Sequence, residues 1–219
     1  MKKGLHEMHD TAYRTGKDFF DIYLNETSKI LEVGSQNVNG SLRDHSKSKD
    51  YTGLDFVKGL GVDIVLEDAY CYPFEDNTFD AIVTSSCFEH SEMFWVSFLE
   101  CMRVLKPEGV LYCNAPSAFK SYHRYPVDCW RFMPDAGKGF ETWAKYNNIN
   151  SKVLETFIVI GPKTFDWCAI FIKDYSYMGK YPHRIMDISK SPIVNGFKFY
   201  TEKDNNWKLP INHNRMTHR

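Results

Sequence analysis

Apolar positions along the chain follow two periods. Residues 11–25 carry Ala12, Phe19, Phe20, Tyr23 and Leu24 on one side of a helix, with Asp10 placed to cap its start and Gly16 weakening it. Short apolar runs at 29–33, 50–54, 62–66, 79–84 and 110–114 read as five buried strands. Between the fourth and fifth, residues 92–105 set Trp95, Phe98, Leu99, Met102 and Leu105 at helical spacing. Lys106-Pro107-Glu108-Gly109 then stops that helix and turns the chain. Residues 115–131 are irregular and rich in aromatics, His and Pro; 134–147 reads as a helix, and 153–160 and 167–173 as two last strands. The tail beyond Lys190 is polar with two prolines, so little regular structure is expected there.

Short apolar strands joined by connections long enough for crossovers imply a parallel sheet covered on both faces. The 219 residues suffice for one α/β domain, and no repeat or linker divides them. Within it, 1–28 forms an N-terminal helical lid or cover and 190–219 an irregular tail. Net charge is −1, which offers no basic field to nucleic acid. None of the six cysteines is paired as C-x-x-C and no His cluster sits beside them, so no metal site is expected. Free thiols fit a reducing cytoplasm, the expected location. The N-terminus lacks an apolar signal region, and no apolar run reaches the length of a membrane span.

In an open parallel sheet, ligands sit beyond the carboxyl ends of the strands. The first strand runs into Glu32-Val33-Gly34-Ser35, with Gly40 further on. A glycine there lets the backbone approach a ligand, and a helix starting at 39–42 would offer free N–H groups to a carboxylate. The second strand ends at Asp55, suited to gripping two ribose hydroxyls. Asp68-Ala69 follows the third: the carboxylate can accept from an adenine amino group, and the next N–H can donate to a ring nitrogen. Singly, a glycine is also an ordinary turn and an acid an ordinary solvated loop residue. In order and at this spacing they make a constellation.

The chain at this point resembles the class I S-adenosylmethionine (SAM)-dependent methyltransferases, in their small-molecule branch. The matching stretches are Ile30-Leu31-Glu32-Val33-Gly34, Tyr51-Thr52-Gly53-Leu54-Asp55, Glu67-Asp68-Ala69, the run from Tyr72 to Asp80, Phe88-Glu89-His90 and Arg103-Val104-Leu105-Lys106-Pro107-Glu108-Gly109. The resemblance implies an α/β, Rossmann-like, doubly wound and mostly parallel seven-stranded sheet whose last strand is antiparallel. It implies SAM as cofactor, with S-adenosylhomocysteine as product. Glu32 and Gly34 would shape the loop around its methionine part, Asp55 would hold the ribose, and Asp68 and Ala69 would bracket the adenine. Ser35, Gly40 and Phe56 are further cofactor-binding candidates without an assigned part. Ser85 would line the floor near the sulfonium, and His90 the substrate side. The family's Gly-x-Gly-x-Gly is here Gly34-Ser35-Gln36-Asn37-Val38-Asn39-Gly40, a departure that leaves the loop path after Gly34 open.

Residues 116–133 form the expected substrate-side loop. Methyl transfer needs an aligned nucleophile, exclusion of water and, for a hydroxyl, somewhere for the proton to go. His90 and His123 are the candidate bases; His90 also reads as a cap for the helix that follows or as a structurally packed residue. Tyr125, Asp128, Trp130 and Arg131 are candidate acceptor contacts, Arg124 or Arg131 for a carboxylate or phosphate and Trp130 for stacking. Alternatively, Asp128 and Arg131 pair and staple the loop while Trp130 fills the core. The loop resembles one in methyltransferases found with cell-surface glycan genes, which points to a small polar acceptor such as a sugar. The other readings are a SAM-fold protein that binds a ligand or partner without catalysis, and an NAD-dependent oxidoreductase. The latter lacks its G-x-G-x-x-G here. Oligomeric state is not encoded in any motif.

Overall fold

The computed structural model describes residues 10–118, 121–162 and 164–199. The elements are α1 (Asp10–Tyr23), β1 (Ile30–Val33), β2 (Tyr51–Asp55), β3 (Ile64–Val65), β4 (Phe79–Ser85) and α2 (Phe94–Val104), then β5 (Leu105–Pro116), α3 (Ala136–Tyr146), β6 (Lys152–Ile160), β7 (Phe165–Ile172), α4 (Ile185–Ile188) and β8 (Ile193–Lys198). One eight-stranded sheet orders them β3-β2-β1-β4-β5-β7-β6-β8. Strands β1 to β5 pair in parallel, and β7 is antiparallel to both β5 and β6. The class expected from the strand pattern holds, with the seventh strand antiparallel.

Three details differ from expectation. The sheet has eight strands, because β8 pairs antiparallel to β6 within the tail read as irregular. Residues 106–109 are not a turn but the start of β5, where the carbonyls of Pro107 and Gly109 accept from the N–H groups of Asp174 and Lys173. No α-helix follows β1; a short 3-10 turn at Leu42–His45 stands there, with Ser41 Oγ accepting from the Arg43 N–H. Residues 1–9 of the expected N-terminal cover, like the side chain of Asp10, lie outside the described residues.

Period-2 alternation sends successive side chains of each strand to opposite faces. On one face Tyr112 of β5 meets Phe19 of α1, ring centroids 4.9 Å apart. Helix α1 also joins the sheet through the Tyr23 hydroxyl, which donates to the buried Glu155 at 2.8 Å. On the other face Phe171 of β7 meets Phe98 of α2 and Phe140 of α3. Phe140 is the hub of that face, contacting Phe88, Phe94, Phe132 and Trp167 as well. Phe88 and Phe132 belong to the two segments that border the site, so this aromatic layer fixes the site's height above the sheet.

Arg103, the head of the clearest sequence motif, is a clamp. Its guanidinium donates to the carbonyls of Phe74 (2.7 Å) and Tyr72 (2.9 Å) and pairs with Glu100, whose Oε2 accepts from the Tyr72 N–H. The segment after β3 is thereby tied to α2.

Phe140→Ala should lower unfolding free energy by about 3–5 kcal/mol, the usual cost of emptying a packed aromatic site. A urea midpoint shift equivalent to under about 1 kcal/mol would show that α3 does not key this face.

Candidate active site

The loops after β1, β2, β3 and β4 converge at the carboxyl edge of the parallel strands, as the right-handed winding of such a sheet demands. They enclose a cavity of about 320 Å³. Its wall begins where Gly34 takes a φ of +77°, a conformation that L side chains rarely adopt. A Cβ on Gly34 would also stand 2.6 Å from Cys87 Cβ, so the turn after β1 packs directly on the turn after β4. The N–H groups of Gly34 and Ser35 both donate to Leu54 O. The loop left open in sequence is now defined: Gln36 N–H donates to Asp55 Oδ2 (3.0 Å), Asn37 N–H to Leu60 O, and Gly40 N–H to Asn37 Oδ1.

Of the expected cofactor residues, Glu32, Gly34, Ser35, Gly40, Asp55, Phe56, Ala69 and Ser85 line this one cavity. Asp55 is 7% exposed, and its second oxygen accepts from Val57 N–H at 3.2 Å. Asp68 is placed differently. It is exposed beside Ala69, and its Oδ1 accepts from Tyr70 N–H at 2.8 Å. The buried Glu32 accepts from the Tyr51 hydroxyl at 3.0 Å, and burial pushes its carboxyl up to about 7.

The acceptor end is built by the 3-10 turn Phe88–His90 and the 121–132 stretch folded over it. Cys129 N–H and Trp130 N–H both donate to Glu89 O, which holds the two together. His90, His123 and Tyr125 line the cavity. His90 does not cap α2; its Nδ1 lies 2.5 Å from Val127 O, and burial lowers its pKa, so it is neutral at neutral pH. Tyr125 bridges to the other wall through its hydroxyl, which donates to Gln36 Oε1 at 3.0 Å.

Asp128, Trp130 and Arg131 stand behind this wall. Arg131 donates to both carboxylate oxygens of Asp128 (2.5 and 2.7 Å), which holds that carboxyl well below the usual range. Asp128 Oδ2 also accepts from His123 N–H at 2.6 Å. Trp130 donates to Ser91 O and packs on Phe94 and Trp95. Arg124 donates to Pro126 O within its own loop. The pair therefore staples the loop and positions His123, and Trp130 fills an aromatic cluster.

Sequence reasoning missed Glu89 and Asp166 as wall residues. Glu89 is fully buried, with neither carboxylate oxygen hydrogen-bonded, and burial pushes it up to about 8. Asp166, on β7, accepts from Thr11 Oγ1 of α1. Four carboxyl groups thus border the cavity, and none of the described lining residues is Lys or Arg. Such a lining suits a cationic ligand and opposes a dinucleotide pyrophosphate.

Residues 31–113 match the family model for a methyltransferase domain. The fold is that of SAM-dependent methyltransferases. An Aquifex aeolicus SAM-dependent methyltransferase shares its fold at 15% identity, over 73% of this chain and 90% of that one, with a TM-score of 0.51. So does a Methanosarcina mazei structure of the same description, at 17% identity, 69% and 95% coverage and a TM-score of 0.52. A third is the Burkholderia thailandensis 1,6-didemethyltoxoflavin-N1-methyltransferase, solved with 1,6-didemethyltoxoflavin and S-adenosylhomocysteine: 12% identity, 75% and 80% coverage, TM-score 0.59. No curated protein matches the chain significantly. The cofactor of this methyltransferase domain is SAM. The site fits it: the cavity is acid-lined for a sulfonium and an ammonium, Gly34 leaves room at the turn, and the buried Ser35 Oγ on the wall has no partner of its own.

Glu32 supplies a pH test. Unfolded, its carboxyl ionises near 4.5; folded, near 7. Its folded pKa is raised, so its stabilising contribution is complete below about 4.5 and lost as pH rises through about 7. Melting temperature of the ligand-free protein should fall between pH 5 and pH 8, and Glu32→Gln should make that fall smaller. An identical fall in the variant would contradict a buried, proton-holding Glu32.

Proposed function

We propose that this methyltransferase transfers the SAM methyl group in line to a small polar acceptor, a hydroxylated sugar or glycan precursor, in the cytoplasm. The observation that carries this reading is the single cavity with two unlike halves. One half is built from Gly34, Ser35, Asp55 and Ala69, the other from His90, His123 and Tyr125.

When bound, SAM supplies a methyl group already activated by the sulfonium charge. Asp55 is the group to hold the ribose hydroxyls: each of its oxygens takes one backbone N–H and keeps a lone pair for the cavity. Ala69, Leu66 and Tyr72 border the adenine, and Glu32, Ser35 and Gly40 the methionine end. His90 is neutral, and its Nδ1 is engaged by a carbonyl, which leaves Nε2 to take a proton from an acceptor hydroxyl. His123 is the second candidate for that proton. The Tyr125–Gln36 bridge joins the two walls of the cavity at its exposed rim. Asp128 and Arg131 act by positioning His123, and Trp130 by holding the loop on α2. All six cysteines are free, which fits a reducing compartment, and no helix among the described residues is long and apolar enough to cross a membrane.

SAM and S-adenosylhomocysteine should raise the melting temperature and NAD should not. With hydroxylated sugars as acceptors, S-adenosylhomocysteine should accumulate, and Asp55→Ala should weaken its binding at least tenfold. Stabilisation by NAD alone would overturn the cofactor assignment. Tight SAM binding without turnover on any acceptor class would leave a ligand-binding module instead of an enzyme.

A further inference from the structure

We propose that Glu89, His90 and His123 form a binding site for one divalent transition-metal cation, zinc or a neighbour of it, at the acceptor end of the cavity. One ligand atom from each residue lies within 4.8 Å of the others. Three observations on these side chains carry the assignment.

Glu89 is 0% exposed, and both its oxygens are without a hydrogen-bond partner. A carboxyl group so placed is costly unless something meets it. The Nε2 atoms of His90 and His123 approach Glu89 Oε1 at 3.7 and 3.9 Å. Those separations are too long for hydrogen bonds. They are only a little longer than the edge of a tetrahedral site with metal–ligand bonds of 2.0–2.2 Å, about 3.3–3.6 Å.

Both rings are also oriented as ligands. His90 Nδ1 faces Val127 O at 2.5 Å, and His123 Nδ1 faces Ser121 O at 3.2 Å. A carbonyl oxygen only accepts, so His90 Nδ1 carries the hydrogen and its Nε2 presents a lone pair toward Glu89. His123 Nδ1 has the Ser121 carbonyl at 3.2 Å and the Arg131 guanidinium farther off at 3.5 Å, and the nearer carbonyl favours the same tautomer. The rings meet edge to face with centroids 5.1 Å apart, so neither stacks over the other and blocks the gap. Asp128, fixed by Arg131, stands 3.5 Å from His123 Nδ1, the outer carboxylate that a metal-bound imidazole commonly has.

Two imidazoles and one carboxylate favour zinc and its late first-row neighbours over magnesium or calcium. Three protein ligands leave a position open. It faces the cavity, where an oxygen of the acceptor can take it; with the cation bound both Nε2 atoms are engaged, so the cation, in place of an imidazole base, lowers the pKa of that oxygen and its proton goes to solvent. That use rests on the proposed function; binding of the cation does not. Two of the three ligands are sequence neighbours and the third lies 33 residues on from His90, a spacing that matches no compact metal motif.

The test uses the full, tag-free chain, stripped with a chelator and titrated with cobalt(II) chloride. A visible d–d absorption band should saturate at one equivalent and bleach when zinc is added. Glu89→Gln and His123→Ala should each weaken that first equivalent at least tenfold, with circular dichroism confirming that they remain folded. Absence of a saturable first equivalent in the unaltered protein would overturn the proposal. So would a band that survives in both folded variants. S-adenosylhomocysteine binding is measured in parallel on the unaltered protein. Cobalt binding without it would sink the methyltransferase reading and leave the metal site standing; the reverse result would sink the metal site alone.

Discussion

The site depends on one crowded point, where the chain leaves β1 at Gly34 and passes Cys87 as it leaves β4. Strands β1 and β4 are hydrogen-bonded neighbours, so their carboxyl ends emerge side by side and their loops compete for the same space. The conflict is resolved by removing one side chain: Gly34 has none, and Cys87 occupies the volume where its Cβ would be. With that contact made, the first loop swings toward β2, where Leu54 O takes two of its N–H groups and Asp55 a third. The second loop swings the other way through Ser86, held at a φ of +50°, into the turn that carries Glu89 and His90. The cavity is the space between these diverging loops.

What was legible in the sequence follows from burial. The inner strands are covered on both faces, so they read as unbroken apolar runs, and the residues just after them are fixed by fold class. That is why Gly34, Asp55 and Ala69, expected there from their place after the strands, line the cavity, while Asp68, expected on the same ground, does not. Strand β8 was not legible, because Ile193-Val194-Asn195-Gly196-Phe197-Lys198 is half-buried and paired on one side only. Its stability comes from β6, not from its own pattern. Lys106–Gly109 misled for another reason. Pro and Gly signal a turn, but β5 opens where its pairing with β4 is irregular, between Phe79 and Ala81, and there a missing N–H costs little.

Glu89 sits in the Phe88-Glu89-His90 motif, but its place on the wall is not legible there, since glutamate is almost never fully buried. Its burial is a long-range effect. The stretch near Cys129 and Trp130 returns to bond its carbonyl, and that stretch is held by Asp128 with Arg131 and by the aromatic layer on α2 and α3. The same tertiary pairing explains why Arg131 and Trp130, the most conspicuous chemistry in the loop, face away from the cavity. Two charged groups three residues apart satisfy each other before they reach a ligand, and the imidazole between them and Glu89 is what remains on the wall.

Burial of these acids also bears on methyl transfer. A sulfonium loses its positive charge as the methyl group leaves. Ionised carboxylates around it would therefore stabilise the bound reactant more than the transition state. A cavity with Glu32, Asp55, Glu89 and Asp166 on its wall would suffer that fault if all four were ionised. Burial moderates it, pushing Glu32 up to about 7 and Glu89 up to about 8, so both hold protons into the neutral range. Asp55, which serves the ribose end, keeps its acceptor character through two backbone N–H groups. A cation between Glu89 and the two imidazoles would have the same effect by another route, since the carboxylate it ionises is neutralised by the charge it brings. In both states the wall carries less negative charge than four ionised carboxylates would, and it still favours a cationic cofactor.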